Sequence, residues 1–330
     1  VLPAVLAARQ EQRNLLVPQG NAEEAALASQ GDVLASGHLL AVCEHLSGRA
    51  RLVPVPRSSL EQAPGSNREV PDLSDVRGQR VPRRALEVAA AGSHNLLFFG
   101  PPGTGKSMLA SRLPGILPGL DDGSAMEVAS VHSVEVLREP METGEISISR
   151  AARQVNFPAR FQVVAAMNPC PCGYSGHPTI ECQCTPQQVT RYRSKISGPL
   201  LDRFDLHVEV PVQGGDVLMQ SGGDGETSAT VRERVLIARA RQSERGCLNA
   251  ALSGRALQAA CRLDRQGEQL LTGAMEKLGL SARALHRILR VARTLADLEG
   301  SEELRQSHLV EALGYRQLDR QQGRNSVVSA

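Results

Sequence analysis

The run from His94 to Ser111, His-Asn-Leu-Leu-Phe-Phe-Gly-Pro-Pro-Gly-Thr-Gly-Lys-Ser-Met-Leu-Ala-Ser, constrains this chain more than any other stretch. Leu96, Leu97, Phe98 and Phe99 form an apolar run of the kind a buried parallel strand needs, and Gly100 to Ser107 complete the pattern G-x-x-x-x-G-K-[ST]. Holding phosphates explains the residue types. Gly100, Gly103 and Gly105, with Pro101, Pro102 and Thr104 between them, let the backbone curl until successive N–H groups point inward. The helix that follows turns its positive end to the same point. Lys106 supplies a mobile charge for the β- and γ-phosphates, Ser107 a hydroxyl for Mg²⁺, and Met108 closes the loop. A Gly-rich turn with no ligand is the bland alternative, and the strand before and helix after weigh against it. The expectation is a site for ATP and Mg²⁺.

With 330 residues the chain has room for two or three domains with real cores. A net charge of +2 confines any nucleic-acid surface to a local patch, and 2% aromatics with no Trp argue against a base-stacking platform. No run approaches the roughly 18 apolar residues of a membrane span, and no secretory leader is evident, so a cytoplasmic protein is expected. Val1 in place of Met leads us to expect residues upstream. Of seven cysteines, Cys170, Cys172, Cys182 and Cys184 are clustered. Two C-x-C pairs joined by a Gly- and Pro-containing loop can make a tetrahedral Zn²⁺ site. C-x-C is less diagnostic than C-x-x-C, His177 can replace one ligand, and free thiols or an iron–sulfur cluster stay open.

Taken in order, residues 1–53 read as a short strand Asn14–Val17, a turn Pro18–Asn21 and two Ala/Leu-rich helical patterns ending near Leu46. Residues 54–71, rich in Pro, Ser and Gly, read as a linker. A helix is expected from Pro82 to Ala91, closed by Gly92. Gly144 to Val164 alternates as a β-hairpin in which Val155 and Phe157 answer Ile146 and Ile148, with Arg150 and Arg153 at the turn. A solvated hairpin tip and a phosphate contact are equally open readings of those arginines. Val163 to Met167 is a second buried strand that delivers Asn168 at its end. Residues 213–228 read as a flexible linker and 229–320 as helices, the clearest being Ser281 to Leu298, followed by a tail at 321–330.

Asp75-Val-Arg-Gly-Gln79, the P-loop, Met167-Asn-Pro-Cys-Pro-Cys172 and Ser197-Gly-Pro-Leu-Leu-Asp-Arg-Phe-Asp205 together resemble the YifB/ComM group of magnesium-chelatase-like AAA+ ATPases. The resemblance implies an α/β fold: an AAA+ P-loop core with a parallel sheet at 72–212 and an all-helical lid at 229–320. Before them, residues 1–53 resemble the end of a Lon-protease-like (S5 domain 2-like) α+β domain, non-proteolytic because Val5-Leu-Ala-Ala8 offers no basic partner for a nucleophile. By the same resemblance Lys106 is catalytic, Asn168 is sensor 1, Arg203 is an arginine finger reaching a neighbour's γ-phosphate, and Arg283 is the sensor 2 arginine. A homo-hexameric ring on single- or double-stranded DNA is implied, a helicase or branch-migration motor for integrating transforming DNA, with Arg150 and Arg153 facing its pore.

One departure is serious. The family continues into an apolar strand ending in the Asp-Glu pair of Walker B, whereas here Val131-His-Ser133 runs directly towards Glu135-Val-Leu-Arg-Glu-Pro140. The expectation is that the intervening segment belongs to the protein and is missing from this sequence, so the catalytic carboxylates have no residue numbers. Two rivals stay open. A chelatase-type motor would drive metal insertion into a porphyrin through a partner, and a nucleotide-gated scaffold would hydrolyse nothing.

Overall fold

The computed structural model describes residues 1, 4–5, 8–9, 11–26, 33–55, 70–119, 141, 145–150, 153–158, 161–194, 196, 198–219 and 225–318. The expected tail and nearly all of the 54–71 linker lie outside the described residues, as does the junction at Ser133–Glu135. The chain divides into two compact units, residues 1–69 with 119–161 and residues 70–118 with 162–330.

In the first unit, β1 (Leu15–Pro18) and β2 (Val33–Ser36) pair in parallel, Leu15 opposite Val33 and Pro18 opposite Ser36. Helix α1 (Ala22–Ala26) lies between them in sequence and α2 (Leu39–Leu46) follows. Strand β2 corrects the expectation of two helical patterns running to Leu46. Its residues Val-Leu-Ala-Ser sit in an Ala/Leu-rich stretch of good helix propensity, but pairing with β1 lets Val33 join Val5, Val17 and Ala25 in a small core, and tertiary burial overrides propensity.

The second unit opens with α3 (Arg80–Gly92), which starts two residues before Pro82 and runs through Gly92; Ser93, at φ 59°, ends it. Pro82 is tolerated because the first turn has no intrahelical acceptor for its missing N–H. Gly92 is required inside the helix, since a Cβ there would strike the side chains of His94 and Thr294. Next come β3 (Leu96–Phe99), α4 (Lys106–Ala110) and α5 (Leu113–Ile116). Strands β4 (Glu145–Arg150) and β5 (Arg153–Pro158), part of the first unit, form the expected antiparallel hairpin: Ile146 opposite Phe157, Ile148 opposite Val155, Arg150 opposite Arg153. The core resumes with β6 (Val164–Met167), α6 (Pro186–Ser194), α7 (Gly198–Leu201), β7 (Leu206–Glu209) and α8 (Gly215–Met219).

The sheet is wholly parallel in the order β6–β3–β7, with Leu96 opposite Val164 on one side and Leu206 on the other. Every residue of the central β3 is buried, as a parallel strand covered on both faces must be. Strand β6 is as apolar but only half-buried, with Ala166 exposed; it is an edge among the described residues. Fully buried side chains such as Phe98, Leu86, Leu206, Ile288 and Leu295 join sheet and helices in one core, each contributing about 1.5–3 kcal/mol.

The lid comprises α9 (Ser228–Glu244), α10 (Gly254–Ala260), α11 (Arg265–Leu278), α12 (Ala282–Glu299) and α13 (Gln306–Gly314). Thr227, Asp264 and Ser281 each accept a backbone N–H three residues on, and Gly279 and Gly300 end α11 and α12 at positive φ. Helix α12 buries Ile288, Ala292, Leu295 and Ala296 as its periodicity predicts, with Leu285 and Leu289 half-buried beside them. Lid and core are also tied by polar groups. Asp297 accepts from Arg293, Arg245 and Asn249; Asn249 donates to Thr294, whose hydroxyl meets His94 Nε2 at 2.7 Å.

Candidate nucleotide site

The P-loop is shaped for an anion before any ligand arrives. Gly103 and Gly105 sit at φ 77° and 87°, which only glycine adopts without strain. Gly100 lies so close to the Val210 carbonyl that a Cβ would collide with it. Lys106 is buried, its ammonium donating to the carbonyls of Gly100 (2.9 Å) and Pro101 (2.5 Å), and Thr104 Oγ1 donates to the same Pro101 oxygen at 3.0 Å. Burial pulls the lysine below its usual pKa, so a phosphate arriving there meets an ammonium that lacks a full counter-charge. Ser107 and Met108 are exposed at the start of α4, where Ser107's hydroxyl fits a Mg²⁺ ligand and Met108's thioether an apolar contact.

Beside the loop lies a pocket of about 550 Å³ lined by Gly78, Gln79, Pro82, Pro211 and Val217 among others. Its size suits a nucleoside. Gln79 joins pocket to loop: its Nε2 donates to Thr104 O at 3.3 Å and Pro211 O at 2.9 Å from a left-handed backbone at φ 47°. The sequence carried this residue only as part of the Asp75–Gln79 motif; its side chain makes no cap to the helix it precedes and turns to the loop instead.

Asn168 follows β6 directly, and the pairing of Met167 with Phe99 brings it abreast of Gly100. The cysteine loop continues from there. The sulfurs are 3.3 Å (Cys170–Cys172), 3.6 Å (Cys170–Cys182) and 3.5 Å (Cys172–Cys182) apart, and all four lie within 4.8 Å of one another. Tetrahedral Zn–S bonds of about 2.3 Å put ligand sulfurs roughly 3.8 Å apart, so the cluster fits zinc closely. Backbone N–H groups already point at the sulfurs, Cys172 N to Cys184 and Ser175 N to Cys170. The Tyr174 backbone helps draw the Cys172 thiol down to about 6, while burial and the sulfurs of Cys172 and Cys170 overcome the Cys184 backbone N–H and push Cys182 up to about 12. His177 is engaged elsewhere: its Nδ1 accepts from the backbone N–H groups of Thr179 and Ile180, and its ring packs edge-on against Tyr174. Gly173, at φ 86°, presses against Pro102 of the P-loop, where a Cβ would come within 2.7 Å of the proline ring.

Arg203 lies at the other end of the sheet. Its carbonyl accepts from Asn95 Nδ2, and Asn95 precedes β3 whereas the P-loop follows it. Four residues of strand, roughly 13 Å, separate the two. Arg283 is exposed in the first turn of α12, whose Arg287, one turn on, also reaches the Arg203 carbonyl. Arg150 and Arg153 close the β4–β5 hairpin opposite each other in register.

Comparison with known proteins decides the family. The family model described as magnesium chelatase, subunit ChlI, matches residues 72–136 and 131–217, and its C-terminal companion matches 225–316. The chain is 42% identical to the competence protein ComM of Haemophilus influenzae, across 97% of this chain and 75% of that protein. It is 39% identical to YifB of Salmonella typhimurium, across 93% and 72%, and 38% identical to YifB of Escherichia coli over the same shares. The chain belongs to the YifB/ComM group of magnesium-chelatase-like AAA+ ATPases.

For a YifB/ComM-type chain the two-piece match is informative. The pieces meet at 131–136, and the ComM alignment spans 383 positions against the 330 residues here, so the relative holds residues with no counterpart in this sequence. No helix among the described residues is long and apolar enough to cross a membrane.

Proposed function

We propose that this protein is the ATP-hydrolysing engine of a homo-hexameric ring that moves on DNA. The observation that carries the reading is that the Arg203 carbonyl lies at the sheet end remote from the chain's own P-loop, against the helix that also carries Arg283. That placement favours action on a neighbour's nucleotide over the subunit's own, and a ring of head-to-tail contacts brings each to the next subunit's phosphates. In that ring Lys106 binds the β- and γ-phosphates, Ser107 holds Mg²⁺, Gln79 and its pocket take the base, and Asn168 orients the attacking water. Arg203's planar fork meets charge spreading over three oxygens, with Arg283 beside it. Bound Mg²⁺ would neutralise the phosphates.

The half-open edge of β6, the family-model break at 131–136 and an alignment longer than the chain all support one further strand beside β6, carrying the acidic pair. The same observations weigh against a scaffold without hydrolysis. We read residues 1–53 as the end of a Lon-like, non-proteolytic domain and the four cysteines as a structural zinc site that steadies a polar loop. The ComM relative, named for competence, favours work on incoming DNA over metal insertion. DNA-stimulated ATP hydrolysis by the full-length protein tests the reading directly. Stimulation by porphyrin and a partner subunit, with none by DNA, favours the chelatase instead.

A further inference from the structure

We propose that Arg287 is a positioning residue that locks the two trans-acting arginines, Arg203 and Arg283, into one unit. Its Nη1 donates to the carbonyl of Arg203 at 3.2 Å and to Oδ1 of Asp205 at 2.8 Å. Asp205 is buried, and its other oxygen accepts the backbone N–H of Asn95 at 3.0 Å. The Asn95 carbonyl in turn accepts from Asp205 N and Leu206 N. Phe204 between them gives its carbonyl to Arg316 at 2.7 Å. The peptide 203–205 is therefore fixed to the start of β3 from one side and to the lid helix α12 from the other. Arg287 is the share of helix α12 in that clamp.

Arg283 lies four residues earlier on the same helix, on the same face and roughly 6 Å along the axis. A shift of the lid that carries Arg283 must therefore drag the Arg203 loop with it or break two hydrogen bonds. The nucleotide-bearing neighbour meets a preset pair of cations, and a misplacement of about 1 Å is enough to cost roughly 100-fold in rate. Arg287 itself touches no phosphate in this arrangement.

The inference rests on the ring reading above, so the test separates them. In the full-length protein, Arg287→Met should keep ATP affinity at its own P-loop, read with a fluorescent nucleotide analogue, while hydrolysis falls roughly 100-fold. Arg287→Lys, whose ammonium offers one nitrogen for the two bonds that Nη1 makes, should recover most of the rate, and unchanged nucleotide affinity in Arg287→Met shows that misfolding does not account for its loss. Subunits of Arg287→Met are then mixed with subunits of Lys106→Ala, which hold no nucleotide but offer intact arginines. About a quarter of the interfaces join a working P-loop to working arginines, so hydrolysis should rise roughly 25-fold over Arg287→Met alone, the ratio of that quarter to the hundredth the variant retains. A control mixes Arg203→Ala with Lys106→Ala. Recovery in the control but not in the Arg287 mixture overturns the positioning role and leaves the ring intact. Failure of both mixtures overturns the trans arginines and the inference with them.

Discussion

Single side chains in this protein act mainly by where their charge is held. Lys106 is parked on two carbonyls that phosphate oxygens would replace, so Lys106→Ala should weaken ATP binding by about 2–5 kcal/mol, the cost of removing one partner of a buried charge pair. Titration with a fluorescent nucleotide reads it, and near-normal affinity would remove Lys106 from the site. Asp205 gives a second prediction. Burial raises its pKa, but His94 and Arg287 outweigh burial and hold the carboxyl well below its ordinary 3.8. Its ionised form therefore stabilises the fold at pH above 3.8, and that stability is lost as the pH falls below it. Asp205→Asn should cost about 3–5 kcal/mol at pH 7 and should flatten the acid limb of stability. Urea midpoints at pH 7 and near pH 2 check both, and a variant as acid-sensitive as the parent contradicts the assignment.

Among the elements, the cysteine loop is the one whose position decides its effect. Purified full-length protein should carry about one zinc per chain, and Cys182→Ser should lose it; elemental analysis without chelator that finds no zinc rejects the site. Gly173→Ala tests how the loop bears on the P-loop. The new Cβ needs a left-handed backbone and the space held by Pro102, so nucleotide affinity should fall while zinc content stays, and unchanged affinity would show that the contact is slack. The P-loop, the hairpin register and the caps of α12 were legible because each rests on local chemistry: glycines at positive φ, strict alternation, a serine before and a glycine after an apolar stripe. Strand β2 was not, because Val33-Leu-Ala-Ser becomes a strand only by pairing with β1, 18 residues away in register. Gln79 and Arg287 were hidden for the same reason. Their partners, Pro211 for one and Arg203 and Asp205 for the other, lie far off in sequence, so no spacing rule finds them.

At the scale of the molecule, the proposed engine needs a track as well as a ring, and the hairpin is where the two part company. The register sets Arg150 opposite Arg153, two residues of like charge, an arrangement that costs about 0.2–1 kcal/mol in a free hairpin. A polyanion lying across the tip would turn that cost into a gain. Replacing both arginines with Ala should therefore weaken DNA binding whatever the sequence, and should lower the slope of log K against log salt by roughly 1.4–1.8, the share of two phosphate contacts. ATP affinity should not change, because neither residue belongs to the P-loop or its pocket. Arg203→Ala should behave in the opposite way, sparing DNA binding and removing hydrolysis. Filter binding across a salt series, run beside a nucleotide titration on both variants, separates track from engine. An unchanged salt slope in the double variant moves the DNA contacts away from the hairpin, and no binding by the unaltered ring at any salt removes DNA as its substrate.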